Sequence, residues 1–117
     1  MLITAAILFA IAAAGGATMA VTHFRGRTPP PIPLALAHGL LAAAALVVLI
    51  LALLKTGFAG LGALALVIFL IAALGGFYLF SLHLRKKPLP SPVILIHGGA
   101  AVAAFVILLV QLLGATA

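Results

Sequence analysis

Histidine ligates transition metals and exchanges protons near neutral pH, and this chain carries four: His23, His38, His83 and His97. They come in two copies of one pattern. The stretch HFRGRTPPPIPLALAHG, from His23 to Gly39, recurs as HLRKKPLPSPVILIHG, from His83 to Gly98. Each copy has a histidine, a basic cluster, a proline-rich turn and a second histidine followed by glycine. No Asp, Glu or Cys accompanies them. Paired-carboxylate acid/base chemistry, Ser-His-Asp triads, calcium or magnesium sites built on carboxylates, acidic proton relays, disulfides and thiolate metal sites are therefore excluded within the chain. What remains is imidazole chemistry.

The elements that must position these rings follow from composition. Of 117 residues, 68% are hydrophobic, and the mean hydropathy is +1.53, outside the range of soluble domains. Apolar runs cover residues 2–22, 33–54, 59–82 and 92–114, each near the ~20 residues that cross ~30 Å of hydrocarbon as a helix. The runs lack the alternation of barrel strands, and lipid leaves no backbone group unpaired, so they read as helices. The first run has small residues resembling a cleavage site, but it lacks a basic start and matches the third run, which opposes a cleaved leader. The formal charge of +6 does not point to nucleic acid, because the cations sit in short loops between apolar runs.

A shift of 60 aligns Ala5, Phe9, Ala12, Gly16 and His23 with Ala65, Phe69, Ala72, Gly76 and His83. After a one-residue loop gap, Pro29, Pro33, His38, Gly39, Ala45 and Leu49 align with Pro88, Pro92, His97, Gly98, Ala104 and Leu108. The expected fold is all-α: one integral membrane domain, a four-transmembrane-helix bundle made by tandem duplication of a helical hairpin, with repeats 1–56 and 57–117. Two spans per repeat give parallel copies about a pseudo-two-fold axis along the membrane normal. Arg25, Arg27, Arg85, Lys86 and Lys87 occupy the first and third loops, and Lys55 alone the second. The positive-inside rule then makes loops 1 and 3 cytoplasmic and sets both termini outside, with a bacterial inner membrane as the expected location.

That topology gathers the histidines on one side. His23 and His83 close the first and third helices; His38 and His97 lie five residues beyond Pro33 and Pro92, about 8 Å along a helix. Residues seven apart share a helical face, so Gly16 falls below His23 and Gly76 below His83. Ala42, Ala45 and Leu49 follow His38 on one face, as Ala101, Ala104 and Leu108 follow His97. Such stripes serve either close helix approach or a slot for a flat cofactor. Haem asks for nitrogen ligands, an apolar slot and cations near its propionates. All three coincide here, with Arg25, Arg27, Arg85, Lys86 and Lys87 on the histidine side.

In architecture and residue type the chain resembles the b-type membrane cytochromes, four-helix proteins that hold haem between helical histidines with glycines cut out beneath them. The resemblance covers most of the chain and rests on no signature string. It implies one or two b haems, His23, His38, His83 and His97 as axial ligands of the haem iron, Gly16 and Gly76 as clearance positions, Arg25 and Arg85 near the propionates, and electron exchange with quinone or a protein partner. Dihaem members carry their haems near opposite faces, whereas here every histidine is on one side, leaving no relay across the bilayer within this chain.

Plainer readings stand beside it. Histidines at helix ends cap carbonyls or sit at headgroup level, paired glycines pack helices, and Thr18 and Gln111 read as interhelical hydrogen bonds. Several imidazoles could also hold zinc or copper. Without a cofactor, the chain reads as an accessory or scaffold subunit of a larger membrane complex, or a homo-oligomer, docking through its small-residue faces.

Overall fold

The computed structural model of the chain describes residues 1–26 and 29–116, so Arg27, one of the loop cations above, lies outside the described residues. Four helices account for nearly all of it: α1 (Leu2–Gly26), α2 (Ile32–Thr56), α3 (Gly60–Leu84) and α4 (Ser91–Thr116). All four are long and apolar enough to cross a membrane. At 1.5 Å per residue a 25-residue helix spans about 37 Å, more than the ~30 Å of hydrocarbon, so its ends reach the interface. The helices therefore run past the apolar stretches: α1 continues through His23 and Arg25, and α3 through His83. Basic groups in a last turn suit the partial negative charge of a helix C-terminus.

Proline sets the helix starts. The Pro31 carbonyl accepts from the N–H groups of Leu34 and Ala35 at 3.1 Å, and the Pro90 carbonyl from those of Val93 and Ile94 at 3.1 Å. Pro33 and Pro92 occupy the first turns of α2 and α4, where a missing N–H leaves no bond unmade. At the end of α3, Lys86 takes φ 57° while the Lys87 N–H closes onto Leu82 O at 2.9 Å. This is a Schellman-type stop, with lysine in a conformation that usually selects glycine.

α1 packs on α2, and α3 on α4; thinner seams join α1 to α4 and α2 to α3, while α1 faces α3, and α2 faces α4, across the diagonals. The molecule measures 44 × 20 × 19 Å. Aligned residues are buried alike: Ala5 and Ala65, Ala45 and Ala104, and Leu49 and Leu108 are all at 0% exposure. The Phe9 and Phe69 rings stack 3.8 Å apart and 2° from parallel. The contiguous core, which also takes in Ala6, Leu53 and Leu66, lies wholly in the half away from the histidines.

Candidate functional site

In the other half the bundle is hollow. A cavity of about 360 Å³ is lined by residues of all four helices, and all four histidines border it. α2 and α3 supply most of its wall, with Gly16, Met19, Ala20 and His23 from α1 and Ile94 and His97 from α4. Leu36, Leu40 and Phe77, also in the wall, are 48%, 63% and 71% exposed, so the cavity reaches the surface along the α2–α3 seam.

Two of the rings are locked. The Nδ1–H of His38 donates to Ala12 O at 2.7 Å, and that of His97 to Ala72 O at 2.7 Å. Sequence separations of 26 and 25 differ by the one-residue loop gap. A carbonyl has no hydrogen to give, so each Nδ1 carries one, and Nε2 is the nitrogen left for another partner. Both histidines border the cavity, and no buried side-chain nitrogen or oxygen among the described residues lacks a partner. The two rings meet edge to face across the α2–α4 diagonal, with centres 6.2 Å apart and planes at 85°.

Gly16 and Gly76 make this approach possible. A Cβ on Gly16 would stand 2.9 Å from His38 Cε1, and one on Gly76 3.0 Å from His97 Cε1. Both glycines share a helical face with the histidine seven residues on, yet what fills the notch is the ring from the neighbouring helix. Their clearance serves the α2 and α4 imidazoles directly. The reason is local: the carbonyls one turn earlier, at Ala12 and Ala72, draw the rings onto α1 and α3.

His23 and His83 are placed differently. His83 is 9% exposed and has Phe80 edge-on at 6.4 Å. His23 is half-buried, has Phe24 edge-on at 5.1 Å, and makes a long contact of 3.5 Å between Nε2 and the Ser91 hydroxyl. Ile32 occupies the position equivalent to Ser91, so the repeats diverge here. Among the described residues no group of three or more His, Cys, Asp or Glu is placed to hold a metal ion.

Arg25 and Arg85 do not border the cavity. Arg85 turns back along α3, where its Nε donates to Ser81 O at 3.2 Å and its Nη2 to Ser81 Oγ at 3.4 Å. Thr18 bonds within its own helix, to Ala14 O at 2.8 Å, and not across to another, because a helical threonine hydroxyl reaches its i−4 carbonyl. The functional groups that sequence reasoning missed are the Ala12 and Ala72 carbonyls. Main-chain oxygens leave no mark in residue type; the only hint was that each precedes a glycine by four residues.

No protein-family model matches the chain, and neither does any curated protein or solved structure compared with it.

Proposed function

We propose that the chain is a membrane haem protein that carries electrons, holding one b-type haem between His38 and His97 and exchanging electrons with quinone or a redox protein. The observation that carries the reading is the spacing of the His38 and His97 rings. Two imidazoles that ligate one metal end-on, at about 2 Å per nitrogen, stand with their centres about 6 Å apart, and these stand 6.2 Å apart. Both have Nδ1 tied to a carbonyl, the arrangement that fixes the tautomer and orientation of a ligating histidine and raises its basicity. The cavity, about 360 Å³, is within the range of cofactor sites, and its walls are apolar as such sites are.

Bound there, haem supplies a one-electron couple. The chain's own residues do the rest. The Ala12 and Ala72 carbonyls hold the rings, Gly16 and Gly76 admit them, and the alanine and leucine walls keep water and its dielectric away. A pair of this kind uses two histidines and one haem, not the two haems that four ligands would require. The reading extends to orientation: Arg25, Arg27, Arg85, Lys86 and Lys87 put the histidine end at the cytoplasmic face of a bacterial inner membrane, with both termini outside.

The test is optical. Protein purified from cells with ample haem is expected to give a Soret band, a dithionite-reduced difference spectrum and a pyridine haemochrome at one haem per chain. His38→Ala or His97→Ala should abolish the six-coordinate low-spin form. Colourless wild-type protein would overturn the reading. It would favour a second one, a cofactor-free accessory subunit, supported by the way the same two hydrogen bonds staple α1 to α2 and α3 to α4.

A further inference from the structure

We infer that His23 and His83 are not metal ligands but hydrogen-bond donors at the loop end of the cavity, there to grip carboxylates on the edge of the bound cofactor. The inference rests on the haem reading above and reassigns half of the histidines. Depth is the first argument. Gly16 abuts the His38 ring and Gly76 the His97 ring, and His23 and His83 lie seven residues further along the same helices, about 10 Å towards the helix ends. A metal held between His38 and His97 is out of their reach.

Unmet bonding capacity is the second argument. His83 is 9% exposed, borders the cavity and makes no side-chain hydrogen bond among the described residues. His23 has only the 3.5 Å contact with Ser91. The neighbouring Arg85 is engaged with Ser81 and does not border the cavity, which leaves these imidazoles as the polar donors that line it beyond His38 and His97. Charge is the third. The chain has no Asp or Glu, so a basic end around Arg25, Arg85, Lys86 and Lys87 has no side-chain counter-anion of its own, and an anion there comes from outside the chain. A neutral imidazole N–H is donor enough; a hydrogen bond to a charged acceptor is the strong kind.

An oxyanion at this end could belong to the cofactor or to a lipid phosphate, and the two are separable. Full-length protein in phosphatidylcholine nanodiscs would be loaded with iron protoporphyrin IX or with its dimethyl ester, which lacks the carboxylates. Wild type should bind the diacid about 10- to 100-fold more tightly. His23→Leu with His83→Leu should erase that preference while leaving the six-coordinate low-spin spectrum intact, and His83→Gln, which keeps an N–H donor, should restore part of it. Loss of the low-spin spectrum in the leucine variant would make these residues ligands and overturn the inference. Equal wild-type affinity for the two porphyrins would overturn it without any mutation. A preference that vanishes in phosphatidylglycerol nanodiscs would do so too, by giving the donors to lipid. If wild type binds neither porphyrin, the haem reading itself has failed, a result distinct from equal binding of both.

Discussion

The half of the bundle around Phe9 and Phe69 and the half around His38 and His97 are built by the same repeat, yet the first is filled and the second hollow. In the filled half, equivalent positions meet on the axis with side chains that interlock: a phenyl stack at 3.8 Å and leucines at 0% exposure. In the hollow half, what reaches the axis is imidazole, and Gly16, Gly76, Ala42, Ala43 and Ala73 leave the surrounding space open. In lipid a gap is not closed by the hydrophobic effect, because acyl chains are as apolar as leucine and association rests on packing and hydrogen bonds. A cavity therefore persists where rings are tied back to carbonyls, provided that the other half holds the helices together.

The most severe way to break this division of labour is to fill the notches. With Gly16→Leu and Gly76→Leu combined, each new side chain begins 2.9 or 3.0 Å from a histidine Cε1, so both rings must leave and both Nδ1 bonds break. Overpacking of this kind costs about 1–3 kcal/mol per site, and a lost interhelical hydrogen bond in a membrane adds roughly 0.6 kcal/mol. Under the haem reading proposed above, the expected outcome is complete loss of haem absorbance with helical circular dichroism retained, since the filled half is untouched. An undiminished Soret band would show that the rings need no such clearance.

The two halves also differed in how legible they were. The four spans stood out because lipid sets a length and a composition that few sequences meet by accident, and helix ends strayed only by the turn that carries the chain into the interface. The 60-residue register brought Phe9 to Phe69 and His38 to His97 as aligned positions. It could not show which side chain would enter the space beside Gly16. Heptad spacing looks along one helix, towards His23, whereas the neighbour that decides is His38 on the next. Nor could it separate the histidines. All four share a residue type and a side of the membrane, but the carbonyls of Ala12 and Ala72 hold two of them, and main-chain acceptors are the same in every sequence. Arg85 has a partner of the same hidden kind: Ser81, one turn back, offers it a local acceptor.

Truncation in the filled half sharpens the comparison from the other side. Leu49→Ala and Leu108→Ala each remove a fully buried side chain. In a water-soluble core the change costs about 2.7–5 kcal/mol. Here the transfer part largely drops out, because the unfolded helices remain in lipid, which leaves about 1–2 kcal/mol from the cavity. Reversible unfolding in mixed micelles should show that loss with the Soret maximum unmoved. A spectral shift as large as that of a histidine variant would mean that the halves are not separable.

The smallest expected effect is the most discriminating. A Cβ on Gly62 would meet Leu53 Cδ2 at 2.9 Å, the same approach as Gly16 makes to His38 Cε1. Distance alone predicts equal damage from Gly62→Ala and Gly16→Ala. The neighbours differ, however. Cδ2 is the far end of a flexible chain and moves by a small rotation, whereas the His38 ring is fixed by its 2.7 Å bond to Ala12 O. Alanine also gains about 1 kcal/mol of helix propensity over glycine at either site. Gly62→Ala should therefore fall within about 0.5 kcal/mol of wild type, the gain offsetting the adjustment, while Gly16→Ala should lose haem affinity. Equal tolerance at the two sites would mean that the ring is free to move, and that the carbonyl bond does not hold it.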